Sequence, residues 1–254
     1  MGSKRFPGKS LQPFCGRTVL GVLLERLKRC SKVDRLIVAT SIEPKDTVIA
    51  NLAESYGVAH VRGSEVDVLG RFVQVVDEHP AETVVRVCAD SPLTDPAQID
   101  ALVTYFAQTR CDYAYNNYSE CGLPGGLGGE ILSVKTLLLL NQRARVPADR
   151  EHVTSFLWTH RDEFQIRTPP SPLPSGYPVV DLDIDSEDDL RLLQQLCNLL
   201  PAGRCPFWST QEIVKTLKEQ QGSILPGGRL EMKAGSTLST TASATSARGD
   251  QLDW

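Results

Sequence analysis

Several absences narrow the field before any motif is considered. The seven cysteines include no Cys-x-x-Cys pair, and the four histidines are scattered, none at zinc-ligand spacing. A structural zinc is therefore not expected. The cysteine number is odd and the spacing irregular, which argues against a disulfide framework and for reduced, mostly buried thiols in a cytoplasmic protein. No apolar run approaches the ~20 residues that a membrane helix needs, and no secretory signal precedes the body. The longest leucine run, Leu137 to Leu140, reads as core. A formal net charge of −4 over 254 residues offers no general attraction to nucleic acid or to an anionic membrane. No internal repeat is visible.

What is present alternates between two periods. Leu20, Leu23, Leu24 and Leu27 recur at helical spacing, with Glu25, Arg26 and Lys28 expected to face outward. Arg35 to Thr40 is a short, nearly all-apolar run of the buried parallel-strand type. A helix over 47–56, ended by Gly57, is followed by a strand at 58–61, a helix over 67–78 and a strand at 83–88. Asp95-Pro96 then starts a helix running to about Gln108, with proline at the first helical position after an Asp cap. Strand, helix, strand, helix with short connections predicts an α/β fold, a three-layer α/β/α sandwich on a mostly parallel central sheet. Ligands of such sheets bind beyond the carboxyl ends of the strands, here after Thr40, Val61 and Cys88.

The second half is less regular. Strands are expected at 112–115 and 130–134, helices at 135–143 and 149–160, and a loop at the proline-rich 169–178. An alternating stretch at 179–184 precedes a helix over 186–200, and the last helix runs over 210–220. One domain is expected over 1–221. From 222 to 254 the chain turns to Gly, Ser, Thr and Ala, the composition of a disordered tail.

Three segments carry candidate chemistry. Met1 to Lys9 holds Gly2, Ser3, Pro7 and Gly8 among the cations Lys4, Arg5 and Lys9, a composition suited to an anion-binding loop. It is not a Walker loop: five residues separate Gly2 from Gly8, and Pro7 removes an N–H. Asp90, at the carboxyl end of the strand at 83–88, is placed to hold a hard cation or to act as a plain turn residue. Asp181, Asp183 and Asp185 alternate on one face, a costly crowding unless cations or solvent intervene.

The first of these segments resembles the loop of the cytidylyltransferases that make CMP-activated sugars, Ala-Arg-x-Gly-Ser-x-Arg-x-Pro-Gly-Lys. Gly2, Ser3, Arg5, Pro7, Gly8 and Lys9 match it. The strand that precedes this loop in the family, with its Ala-Arg, is not in the sequence, which leaves open a central sheet without its first strand. Arg86 to Pro96 is similar to the family segment whose first Asp, here Asp90, is a metal ligand, and Ile184 to Leu190 is similar to the one supplying a second, here Asp185 with Asp183 as the weaker candidate. Arg62-Gly-Ser64 to Arg71-Phe72 closely resembles a segment of the spore-coat-polysaccharide type. Leu123 to Glu130 resembles a Pro-Asp-Gly-x-x-x-Glu stretch, with Gly125 in place of the Asp, and Asp149 to Thr154 matches an Arg-Glu-His-Val-Thr motif. The likeness spans about residues 1 to 200.

That resemblance implies CMP transfer from CTP to an acidic sugar or related acceptor, with pyrophosphate released in surface-polysaccharide precursor synthesis. It implies Mg²⁺ on Asp90 and Asp185, nucleotide contacts from Gly2, Ser3, Arg5, Lys9, Arg62, Ser64 and Arg71, and acceptor contacts from Glu130, Arg150 and His152. Lys9 and Arg5 join Asp90 and Asp185 as catalytic candidates, and a homodimer is expected. Two other readings stand beside it: a metal-dependent glycosyltransferase using Asp183-x-Asp185, and a non-catalytic relative acting as a binding subunit.

Overall fold

A computed structural model describes residues 5–118, 121–174, 178–220 and 231–232. Gly2 and Ser3 lie outside the described residues, as does the expected tail apart from 231–232. After a two-residue hairpin, β1 (Pro13–Phe14) and β2 (Arg17–Thr18), the chain enters α1 (Val19–Leu27). The Thr18 side chain accepts from the Gly21 N–H at 3.0 Å and caps the helix. The alternation then follows: β3 (Ile37–Ser41), α2 (Thr47–Ser55), β4 (Ala59–Gly63), α3 (Val68–Glu78), β5 (Thr83–Arg86) and α4 (Pro96–Gln108). Gly57 takes a φ of 64° just past α2, the left-handed position that spares a side chain strain.

β3 and β4 pair in parallel. A second sheet runs in the order β5, β7 (Glu130–Ser133), β6 (Tyr113–Tyr115), β8 (Ile166–Arg167); only its β6–β8 pairing is parallel. The fold is α/β as expected, with mixed strand directions. Among the described residues no ladder joins β3 to β5. Both lie against α1 instead: Val38 of β3 and Val85 of β5 pack on the cluster built from Leu20, Leu23, Leu24, Leu27, Ile49 and Ile99.

Three sequence expectations change. Arg26 does not face outward; it is fully buried, and α1 is apolar nearly all round because it is covered on both sides. Its guanidinium donates to the carbonyls of Thr94 (2.9 Å), Leu93 (3.0 Å), Trp208 (2.9 Å) and Pro206, so one cation ties together two distant loops. The helix expected over 149–160 is two short ones, α6 (Pro147–Glu151) and α7 (Ser155–Thr159), interrupted where Val153 turns to a φ of 35°. The alternating stretch at 179–184 is strand only at β9 (Pro178–Val179), which pairs antiparallel with β10 (Glu231–Met232). Beyond it, Asp181 makes a single parallel bridge to Gly125.

The largest core lies under α8 (Glu187–Leu199) and α9 (Thr210–Glu219), where Leu193, Leu196, Ile213 and Leu217 meet Phe6, Leu93, Leu182 and Ile184. Phe6, Leu182 and Ile184 thus anchor the N-terminal loop and the acidic segment to one apolar floor. Both helices begin with a capping box, Ser186 with Asp189 and Ser209 with Glu212. No helix among the described residues is long and apolar enough to cross a membrane.

Candidate active site

Lys9 opens a short 3-10 turn immediately after Gly8, whose φ of 74° is the left-handed conformation glycine allows. Its ammonium lies 2.5 Å from Asp90 Oδ2 and 3.0 Å from Asp185 Oδ1. Arg5 reaches the other oxygen of Asp185, at 3.0 Å. Two acids, 81 and 176 positions from Lys9 in sequence, therefore share its charge. Each acid is held by its backbone. The Ile184 N–H donates to the Asp90 carbonyl at 2.9 Å and locks the two acidic loops together. Asp189, in the first turn of α8, accepts from the Asp185 and Ser186 N–H groups at 3.0 and 2.7 Å.

Electrostatics follow from crowding. Burial disfavours the Lys9 charge, but Asp90 and then Asp185 outweigh it and hold its pKa above the ordinary 10.5. Asp183, half-buried and close to Asp90, Asp181 and Asp185, is pushed up to about 7, first by desolvation, even though the Ser91 hydroxyl donates to it at 2.5 Å. Asp181 is raised too, first by burial and then by Asp185 and Asp189. Among the described residues no three His, Cys, Asp or Glu side chains form a ready metal cage. Asp90 and Asp185 nevertheless supply the donor set that suits Mg²⁺, which takes one or two carboxylates and fills its remaining positions with water and phosphate. In this structure the Lys9 ammonium neutralises that pair.

A family model described as cytidylyltransferase matches residues 1–221. The chain belongs to the cytidylyltransferase family. Among its relatives is the spore coat polysaccharide biosynthesis protein SpsF of Bacillus subtilis, 28% identical over 222 residues, covering 85% of this chain and 90% of that one. A 3-deoxy-manno-octulosonate cytidylyltransferase of Syntrophotalea carbinolica is 33% identical over 103 residues, 40% of each chain. A solved cytidylyltransferase structure from Leptospira borgpetersenii superimposes with a TM-score of 0.81 at 26% identity, covering 91% of this chain and 95% of that one.

Within this cytidylyltransferase the remaining candidates divide. Arg62, at the carboxyl end of β4, donates to the Ser41 and Glu43 carbonyls, both at 2.9 Å, and so braces the loop after β3. Ser64 is exposed and accepts from the Asp67 N–H at 3.2 Å. Arg71 is half-buried, and its Nε has no hydrogen-bond partner. Burial lowers its pKa.

On the expected acceptor side two candidates already have partners within the fold. Glu130 is fully buried, and its oxygens are taken by Tyr113 Oη at 2.5 Å, Thr154 Oγ1 at 2.9 Å and the Arg86 guanidinium. Arg150 makes a bidentate pair with Asp67, at 2.8 and 2.6 Å, and also donates to Asn141. In this structure both side chains are engaged with partners inside the fold. The reason is local: Glu130 sits on the central strand β7 between Arg86 and Tyr115, and Asp67, the N-cap of α3, faces α6. His152 is half-buried at the end of α6. An Asp in place of Gly125 would have to displace the Asp181 side chain, since a Cβ there would lie 2.1 Å from Asp181 Oδ1.

Sequence reasoning missed Ser91, which holds Asp183, and the pairing of half-buried Arg86 with buried Glu130. Arg86 interrupts the apolar run Val84-Val85-Arg86-Val87, so a charge needing a partner was the available signal.

Proposed function

We propose that this cytidylyltransferase transfers CMP from CTP to an acidic sugar or related acceptor and releases pyrophosphate. The observation that carries this reading is the Lys9 ammonium held between Asp90 and Asp185, at one rim of the fold. An acceptor hydroxyl attacks the α-phosphorus, the bond from that phosphorus to the bridging oxygen breaks, and pyrophosphate leaves with the electron pair. Such transfer depends mainly on positioning and on charge stabilisation. Lys9 and Arg5 turn from the carboxylates to the triphosphate and neutralise the departing pyrophosphate. Asp90 and Asp185 are then free to hold Mg²⁺, which when bound neutralises phosphate charge and lowers the pKa of the attacking hydroxyl. Arg62, Ser64 and Arg71, with Gly2 and Ser3, are assigned to the nucleotide, and residues 1–221 to one catalytic domain.

Acceptor class rests on the names of the relatives. The competing glycosyltransferase reading needs Asp183 and Asp185 to act as a pair. In this fold Asp183 receives the Ser91 hydroxyl while Asp185 meets Lys9 and Arg5.

The test is pyrophosphate release with CTP, UTP, ATP or GTP, Mg²⁺ and a set of acid sugars, with Asp90→Ala as the comparison. Release from CTP with one acid sugar, absent in Asp90→Ala, is expected. Equal activity of Asp90→Ala, or use of a ready-made nucleotide-sugar without pyrophosphate, would overturn the assignment.

A further inference from the structure

Away from the Lys9 site, three cysteines from distant parts of the chain line one open cleft of about 240 Å³: Cys15, Cys197 and Cys205, with Trp208 at its wall. Cys15 is the first of the two residues that turn the β1–β2 hairpin, because Phe14 pairs with Arg17 across Cys15 and Gly16. Both turn residues have positive φ, 47° at Cys15 and 73° at Gly16. A two-residue turn of this kind favours Asn or Asp followed by Gly, so a cysteine at its first position is held in a conformation its side chain resists. That turn projects the thiol onto the last turn of α8. There the Gln194 side chain donates to the Pro13 carbonyl at 2.9 Å, fixing hairpin against helix, and Cys197 follows less than one turn later. Cys197 and Cys205 are the thiol neighbours of Cys15 in this cleft. All three cysteines are partly exposed.

We propose that this cleft is a thiol-modification site, in which Cys15 attacks a small disulfide of the glutathione type and Cys197 resolves the adduct into an intramolecular Cys15–Cys197 bond. In the first step the Cys15 thiolate attacks one sulfur of the small disulfide, a protein–small-molecule S–S bond forms, and one small thiolate leaves. In the second, Cys197 loses its proton to solvent and attacks Cys15 Sγ, expelling the second small thiolate. Two protein thiols are oxidised and one disulfide is reduced to two thiols, so the electrons balance.

The surroundings divide these roles. The Cys197 hydrogen bond lowers the Cys15 pKa; burial opposes it, and Cys205, Arg17 and Arg26 add to the lowering. Arg17 is itself paired with Glu25 at 2.6 Å, and Arg26 is committed to backbone carbonyls, so neither cation is drawn away. Cys197 is raised, chiefly by its hydrogen bond to the Cys15 thiolate. Adduct formation on Cys15 removes that charge, which frees Cys197 to attack. By contrast burial pushes Cys30 and Cys88 up to about 12 and raises Cys111.

Two measurements on the full chain test this. In the unmodified protein at neutral pH, timed iodoacetamide alkylation read by peptide mass spectrometry should label Cys15 about tenfold faster than Cys30, Cys88 or Cys111. Oxidised glutathione should then remove two of the seven thiols and yield a Cys15–Cys197 peptide pair. Cys197→Ser should trap glutathione on Cys15, and Cys15→Ser should leave Cys197 reduced. Labelling of Cys15 no faster than Cys30, Cys88 and Cys111, or a bond that omits Cys15 or joins it to Cys205, overturns the proposal; the first readout needs no variant to fold.

Discussion

Lys9 is asked to hold two carboxylates in the free protein and a triphosphate in the working one. Replacing it by alanine removes the only ammonium between Asp90 and Asp185 among the described residues. A charge-assisted contact to phosphate lost in this way should cost about 2 kcal/mol in kcat/KM for CTP, roughly thirtyfold. Steady-state kinetics check this, and an unchanged value would remove Lys9 from the site. The same pair makes a signed prediction for stability. Because the folded pKa of Lys9 is raised above 10.5, its contribution is fully present below that value and is lost only as pH climbs through the higher folded pKa. The stability gap between wild type and Lys9→Ala should therefore be flat from pH 7 to about 10 and shrink above it, as denaturant titrations at each pH would show. Glu130 behaves differently. Glu130→Gln keeps the shape but leaves Arg86, whose side chain is 19% exposed, without its counter-charge. A loss of about 3 kcal/mol in unfolding free energy is expected, with the acceptor KM little changed. A large rise in KM without loss of stability would restore Glu130 to direct acceptor contact.

Elements show how far the sequence could be read. Those whose signals are local came through: α4 begins at Asp95-Pro96 and α8 at Ser186 because caps and first-turn acids act within a few residues. Lys9, Asp90 and Asp185 were each legible from a motif, yet their meeting depends on a 2.9 Å hydrogen bond from Ile184 to Asp90 that no spacing rule reports. Arg26 was misread for the same reason. On a helix wheel it belongs to the outer face, but α1 has no outer face, since the segment around Trp208 folds over it. Glu130 and Arg150 look like ligand contacts in a motif because polar residues that organise a buried network and polar residues that touch a substrate have the same chemistry. Arg26→Met tests the element-scale role. Methionine fills much of the volume while leaving the carbonyls of Leu93, Thr94, Pro206 and Trp208 without their donor. About 3–5 kcal/mol should be lost, with Trp208 fluorescence reporting release of this segment in chemical denaturation. A cost below 1 kcal/mol would mean the carbonyls find other donors.

At the scale of the whole molecule the unusual feature is a sheet in two parts carried on one helix. Within the described residues, β4 is the ladder partner of β3 and β7 that of β5, while β7 itself is paired on both sides, by β5 and β6. A strand bonded on one edge leaves every second N–H without a ladder partner, and such groups exchange with solvent through local opening. What keeps β3 and β5 in place is side-chain packing: Val38, Val85 and Val87 on the cluster beneath α1, with Ile99 of α4 closing it. Packing of this kind resists separation without protecting amides. Native-state hydrogen exchange should therefore find the β7 amides, from Glu130 to Ser133, exchanging only by global unfolding. Alternate amides of Ile37–Ser41 and Thr83–Arg86 should exchange at least about tenfold faster. Uniform protection across β3 and β5 would mean that another segment completes the sheet. Since β3 ends at Ser41 and Asp90 follows β5, the answer bears on how firmly the two sides of the rim are held relative to each other before nucleotide arrives.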